Sequence, residues 1–167
     1  NLLRNSVPSY SVNDQPISDA ATLVRPANLR GMAPDHTLLL VNGKRRHRAA
    51  VITWLGNGIS NGSQGPDAAA IPAIALKNIE VLRDGAAAQY GSDAIAGVMN
   101  LQLKDASEGG SIQVQHGEFF EGEQSSKFAA NGGFALGENG FLNVSFESVD
   151  NDALSRGIQR PVGQGLI

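Results

Sequence analysis

The sequence predicts an α+β region up to residue 104, followed by antiparallel β-strands that belong either to an incomplete transmembrane β-barrel or to a half-exposed sheet of a soluble protein. Up to Lys104, short helical and strand-like patterns are mixed, whereas three successive segments after Asp105 alternate apolar and polar residues with a period of two. The chain also has 20 glycines among 167 residues, well above the usual share of about 7%. That excess indicates many turns and close backbone contacts.

Composition narrows the class of protein. A hydrophobic share of 41% with 17% charged residues is typical of a folded chain, and the net charge of −3 disfavours a nucleic-acid partner. Because the chain has no cysteine, disulfides and thiolate metal sites are excluded. The longest aliphatic run, Leu38 to Val41, is too short for a membrane helix and leaves insertion as a β-barrel open.

The N-terminal part of the chain predicts one helix, one hairpin and one long loop. Residues 1–17 are predicted as a loop or a weak edge strand, and residues 18–25 as a short helix. An apolar strand followed by Asn42-Gly43 predicts a hairpin, since this dipeptide accepts positive φ at both turn positions. Residues 56–67 contain four glycines, and the length of this loop makes it a functional candidate.

Residues 71–104 predict a short helix, a strand, a tight turn of small residues and a second strand. Pro72 suits the first turn of the helix, which runs into a strand from Ile79 to Leu82. The strand breaks at Asp84-Gly85, and the chain passes through alanines before it leaves as the second strand.

The segment after Asp105 has the alternation of a sheet with one apolar face. The apolar positions are Ile112, Val114, Phe128, Ala130, Phe134, Leu136, Leu142, Val144 and Phe146. Transmembrane barrel strands show this pattern with the apolar side outward, and a half-exposed antiparallel sheet of a soluble protein shows it equally well. Because three strands cannot close a barrel, strand 111–118 or strand 141–149 is expected to present an unpaired edge.

No catalytic or metal-binding constellation emerges from the spacing of reactive residues. The stretch "RDGAAAQYG" at 83–91 matches neither common phosphate-loop pattern, and small residues packed against a neighbouring surface explain it better. His36, His47 and His116 are scattered, and no Ser-His-Asp set can be assembled from the spacing. We therefore expect no enzyme, no cofactor and no metal site.

The basic run at residues 44–48 leaves two interpretations open. It contains four of the 13 Lys and Arg residues, and such runs either bind polyanions or pair with acidic residues elsewhere in the fold. In an acidic chain, partner carboxylates are favoured. A soluble module that binds polyanions through this hairpin is the rival function, and an enzyme with a loop-borne site is a third.

Residues 79–104 resemble the plug domain of TonB-dependent outer-membrane receptors. The matching residues are Ile79, Glu80, Val81, Leu82, Arg83, Tyr90, Gly91, Ala94, Gly97, Val98, Asn100 and Lys104. Two segments earlier in the chain also resemble the family and occur in the family's order: "NLRGM" at 28–32 and "LLLVNGKR" at 38–45. One departure is Asp84-Gly85, where the family has Gly-Pro; Asp-Gly is itself a good turn, so we expect the bend to survive.

The resemblance implies a plug at residues 1–104, built as a mixed four-stranded sheet with short helices inside a barrel lumen. Residues 105–167 would be the first barrel strands and loops, in contact with lipid of the outer membrane of a Gram-negative bacterium. The implied function is gated uptake of a scarce ligand such as a ferric siderophore or another small nutrient. The implied partner is the TonB energy-transducing complex, engaged through a segment upstream of Asn1.

The resemblance also implies two groups of site residues. Arg30 and Arg83 match positions where plug arginines pair with barrel glutamates and lock the plug in place. The candidate ligand-binding residues carry amides and aromatic rings, which suit polar chelates and sugars. They lie on two loops expected to face the substrate: Trp54, Asn57, Asn61, Gln64, Gln89 and Tyr90.

Overall fold

The computed structural model describes residues 7–12, 24–53, 60–119 and 122–153. It contains nine strands within these ranges: β1 (Tyr10–Ser11), β2 (Asn28–Leu29), β3 (Thr37–Val41), β4 (Lys44–Arg45), β5 (Leu76–Leu82), β6 (Gly97–Leu103), β7 (Gly110–Glu118), β8 (Gln124–Leu136) and β9 (Gly140–Asn151). The α-helix α1 spans Ala86–Tyr90, and three 3₁₀ helices span Pro34–His36, Ala73–Ala75 and Ser92–Ala94. In the described part of the chain no helix is long and apolar enough to cross a membrane.

The first region is built on a four-stranded sheet with the order β4-β3-β6-β5. β3 runs parallel to β6, with Leu39 opposite Met99, while β5 pairs antiparallel with β6 and β4 pairs antiparallel with β3. This mixed four-stranded sheet with short helices confirms the predicted fold class. The central strands are buried on both faces, which is why β3 reads as a continuous aliphatic run.

Each face of this sheet has its own apolar cluster. On one face, Leu39, Met99 and Leu101 pack with Leu29 and Tyr10 of the β1–β2 pair. The residues of the other face are Leu38, Leu40 and Val98, covered by Ala86, Ala94 and the half-buried Tyr90. The small alanines of α1 and the following 3₁₀ helix let this segment lie close against the sheet, which accounts for the tight small-residue turn.

The predicted hairpin is confirmed, with Asn42 and Gly43 at φ angles of 49° and 76°. Two side-chain contacts join this turn to the end of β6. The amide of Leu103 donates to Asn42 Oδ1 at 2.8 Å, and the amide of Gly43 donates to Asn100 Oδ1 at 2.9 Å. The turn is therefore attached to the neighbouring parallel strand as well as closing its own hairpin.

The helix predicted after Pro72 is shorter than expected. Only Ala73–Ala75 is helical, and β5 begins at Leu76, three residues before the predicted start of the strand at Ile79. Pairing of Leu76 with Leu103 of β6 draws these residues into the sheet, so tertiary contact overrides their helical tendency. The helix predicted at 18–25 lies almost wholly outside the described residues, and Val24 and Arg25 are not helical.

The second region is an antiparallel three-stranded sheet with the order β7-β8-β9, as the alternation predicts. One face exposes the apolar side chains of Ile112, Val114, Phe128, Phe134, Leu136, Leu142, Val144 and Phe146. The opposite face is polar and includes the half-buried pair of Lys127 Nζ and Glu147 Oε2 at 2.9 Å. Within the described residues both β7 and β9 are edge strands, as expected for an unclosed sheet.

A short linker connects the two sheets and packs against the polar face of the second. The Asn143 amide donates to the Ala106 carbonyl at 3.3 Å, and the backbone of Ala106 lies so close to Gly133 that a Cβ there would be 2.3 Å from the Ala106 oxygen. The first sheet ends at Leu103 and the second begins at Gly110. The domain division at residue 104 stays a prediction.

Candidate functional site

One end of the four-stranded sheet gathers several of the sequence-predicted site residues. Because β3 and β6 are parallel, their N-terminal ends meet at this edge. Leu82, at the C-terminal end of the antiparallel β5, lies at the same edge, where it pairs with Val98. The chain leaving β4 reaches the same edge after Arg45. Arg30, Arg83, α1 and the tail of the basic hairpin are thereby brought to one edge by topology.

Arg30 is held against the end of β5. Its Nη1 donates to the Arg83 carbonyl oxygen at 3.0 Å and lies 3.5 Å from Asp84 Oδ1. The backbone of Arg30 is left-handed, with φ of 55°, and Gly31 follows with φ of 67°. The two predicted lock residues are therefore in contact, although only the backbone of Arg83 takes part, and its own side chain is exposed.

The basic run is partly neutralised by an acidic residue that the sequence did not single out. Arg45 donates to Asp93 Oδ2 at 2.8 Å and to the Tyr90 carbonyl at 2.5 Å. Arg48 Nη2 lies 3.9 Å from the other oxygen of Asp93. These contacts support the interpretation that the basic run pairs with carboxylates elsewhere in the fold. They also attach the hairpin to the segment after α1.

The predicted ligand residues fall into three groups. Trp54 and Asn57 lie outside the described residues, whereas Asn61 and Gln89 are exposed and open to a ligand. Gln64 and Tyr90 also have structural contacts.

The side-chain amide of Gln64 donates to the Ala49 carbonyl at 2.7 Å, and Tyr90 packs on the cluster beneath α1. The ligand-binding roles of these six residues stay predictions.

Sequence reasoning missed a buried polar group that holds the second half of the long loop. Asn28, Ser60 and Ser63 are almost fully buried, and Asn28 Nδ2 donates to Ser60 Oγ at 3.5 Å. The backbone amide of Thr53 donates to the Ser63 carbonyl at 3.0 Å, which ties this part of the loop to the chain that precedes it. Since serine and asparagine are ordinary loop residues, nothing in their pattern marked them as buried.

Within the ranges that the structure describes, the pKa values of two ionisable groups are shifted by their surroundings. Burial raises the pKa of the Tyr10 phenol above its ordinary 10.0, and the nearby Asp67 carboxylate raises it further. At the opposite end of the sheet from Arg30, the hydrogen bond from the Lys77 ammonium lowers the pKa of the exposed Asp105 carboxyl below its ordinary 3.8. Among the described residues, no cluster of three or more His, Cys, Asp or Glu side chains could hold a metal ion.

A mixed four-stranded sheet with short helices is joined by a short linker to an antiparallel sheet with one exposed apolar face. Residues 1–98 match the TonB-dependent Receptor Plug Domain family. The chain belongs to this family. The match confirms the resemblance drawn from residues 79–104, and with it the predicted location in the outer membrane of a Gram-negative bacterium.

The similar proteins include a siderophore receptor and a vitamin transporter. The chain is 42% identical over 82 residues to the probable TonB-dependent siderophore receptor PirA of Acinetobacter baumannii, covering 48% of this chain and 10% of that protein. It is 39% identical over 79 residues to the vitamin B12 transporter BtuB of Vibrio vulnificus, covering 47% of this chain and 11% of that protein. The chain thus spans about a tenth of the length of these curated relatives.

The fold agrees with a solved receptor beyond the plug. The crystal structure of the siderophore receptor PirA from Acinetobacter baumannii superposes with a TM-score of 0.62 at 28% identity. The alignment covers 83% of this chain and 20% of that chain. Coverage of this extent cannot be reached by residues 1–104 alone, so it includes part of the second sheet.

Proposed function

We propose that this chain is the plug and the first wall strands of a receptor that takes up a ferric siderophore across the outer membrane. The observation that carries the proposal is the joining of a family-matched plug to strands whose exposed face is apolar. A wall strand in a bilayer needs an apolar outer face and a polar lumen face, and β7 to β9 have both. The similarity to a siderophore receptor supports the substrate class.

In this proposal the two sheets have different roles. Residues 1–104 act as the plug that closes the lumen, and residues 105–167 begin the wall, with the linker at Ala106 packed against its polar side. Asn61 and Gln89, together with Trp54, Asn57, Gln64 and Tyr90, present amides and rings to the ligand. Arg30 and Arg83 lock the plug to the wall, and the TonB complex supplies the energy for opening it.

Uptake by the full-length protein tests the proposal. A Gram-negative strain without its own siderophore receptors would carry the full-length gene and be supplied with a panel of ⁵⁵Fe-labelled siderophores. We expect accumulation of at least one of them, and its abolition when TonB is deleted or the proton gradient is collapsed. A deletion of residues 1–104 is the matched control, because it should leave a wall without gated uptake. Failure to accumulate any chelate would contradict the siderophore assignment.

Cobalamin is a second substrate candidate, since the chain is also similar to a vitamin B12 transporter. Radiolabelled cyanocobalamin in the same strain distinguishes the two. Accumulation of cobalamin without any ferric chelate would keep the receptor assignment and replace the substrate.

A further inference from the structure

A small cavity of about 60 Å³ lies beside the tail of the basic hairpin. Its charged and polar lining consists of Asp35, Thr37, Arg45, Arg46, Arg48, Gln64 and Asp93. The space exceeds the roughly 10–15 Å³ that a single water requires, so it can admit a group of a few heavy atoms. Three guanidinium groups against two carboxylates leave the lining with a net positive charge.

Backbone contacts fix the walls of this cavity. The backbone amide of Gln64 donates to Asp35 Oδ1 at 2.9 Å, and the backbone amide of Ala49 donates to the Gly65 carbonyl at 3.1 Å. Gly65 packs directly on Pro34, where an added Cβ would lie 2.6 Å from the proline Cβ. The cavity is therefore held open by the fold before any ligand arrives, which lowers the entropy lost on binding.

The cations around the cavity are unequally engaged. Arg45 is bound to Asp93 at 2.8 Å, and one oxygen of Asp35 is taken by Gln64. Arg48 reaches Asp93 only at 3.9 Å. Arg46 is half-buried, its amide donates to the Leu39 carbonyl at 2.9 Å, and its guanidinium makes no ion pair with any residue that the structure describes.

We propose that this cavity binds a small oxyanion, a carboxylate or phosphate group, through the guanidinium groups of Arg46 and Arg48. The half-buried guanidinium of Arg46 gains from pairing with an anion, and the planar fork of arginine matches the two oxygens of such a group. The anion is either a free small ion or the anionic group of a larger ligand. This site goes beyond the proposed uptake function and does not depend on it.

Direct binding to the purified full-length protein tests the site. Titration calorimetry at low ionic strength would use inorganic phosphate and acetate as free ions, and citrate as a larger ligand that carries carboxylates. We expect one saturable site for at least one of these probes. Arg46→Gln should weaken it by about tenfold or more, since a charged hydrogen-bonding partner is lost.

Lys44→Gln is the matched control, because it removes one positive charge from the same hairpin at an exposed position outside the cavity. Binding should be unchanged in this variant. Arg48→Gln, which should also weaken binding, serves as the second variant if Arg46→Gln lowers the yield of folded protein. Absence of saturable binding by all three probes, or equal weakening by Lys44→Gln and Arg46→Gln, overturns the site. Either result leaves the uptake measurements untouched.

Discussion

Arg30 Nη1 donates a 3.0 Å hydrogen bond to the carbonyl oxygen of Arg83, which lies 53 positions further along the chain. The same guanidinium lies 3.5 Å from Asp84, the residue that stands where the family has glycine. The Arg30 side chain is thus bound to the end of β5, while the side chain of Arg83 takes no part in this contact. The two lock candidates therefore differ in their contacts. The Arg30 guanidinium positions the backbone of the segment that carries Arg83, whereas the Arg83 side chain is exposed.

Arg30→Ala should loosen the end of β5. The lost hydrogen bond is worth about 1 kcal/mol, because the Arg30 side chain is 46% exposed and its ion pair with Asp84 is screened. Hydrogen exchange should become faster at residues 82–85 in the full-length protein. Asp84→Asn is the control, and it should change exchange less, since the contact with the Arg83 carbonyl remains.

Arg83→Ala should free the plug in the full-length receptor if Arg83 pairs with a glutamate of the wall. Breaking one side of a buried pair is destabilising by about 3–5 kcal/mol. Limited proteolysis should then cut the plug faster, and uptake should change with it. Protease resistance and uptake equal to those of the unmodified receptor would show that Arg83 is an ordinary surface arginine.

Gly133→Ala should displace the linker between the two sheets. A Cβ at this position would lie 2.3 Å from the Ala106 oxygen, a distance that real Cβ atoms do not show, so the backbone must move. We expect destabilisation by about 1–3 kcal/mol, measured as a lower thermal midpoint of the full-length protein. Gly117→Ala on β7 is the matched control, since nothing lies within 4 Å of its Cβ, and it should be close to neutral.

Trp54→Ala and Gln89→Ala should weaken ligand binding if the two candidate loops face the substrate. Gln89 is exposed on α1, so its truncation leaves the packing beneath the helix intact. Tyr90→Ala needs a folding control, because Tyr90 packs against the apolar cluster that contains Leu38 and Val98. Affinity measured for the intact receptor decides the matter. If Trp54→Ala and Gln89→Ala both bind as the unmodified protein does, the ligand uses other loops.

Tyr10 should make the fold sensitive to alkaline pH. Its pKa is raised in the folded state by burial and by Asp67, so the unfolded phenol loses its proton first as the pH rises. The stability that neutral Tyr10 contributes is therefore fully present below pH 10.0 and is lost as pH rises through the raised pKa. Denaturation of Tyr10→Phe should show a smaller loss of stability above pH 10 than the unmodified protein.

The features that depend on local chemistry were predictable from the sequence. Asn42-Gly43 forms the expected hairpin because its backbone preference decides the turn, and the alternation after Asp105 gives three strands because one face of each is apolar. The pairing of Arg45 with Asp93 was not predictable, since 48 residues separate them and only the parallel alignment of β3 with β6 brings them together. The early start of β5 has the same origin, because its partner strand lies further along the chain.

The two-residue strand β1 has a mechanical consequence. β1 and β2 are antiparallel, so the end of β1 that faces the N-terminus lies beside the end of β2 that continues into the rest of the fold, where Tyr10 pairs with Leu29. Tension applied from the N-terminal side would therefore open this pair one hydrogen bond at a time, like a zipper. The β1–β2 pair has two residue pairs and the parallel β3–β6 pair has five, so Tyr10 would separate from Leu29 before the β3–β6 pair opened.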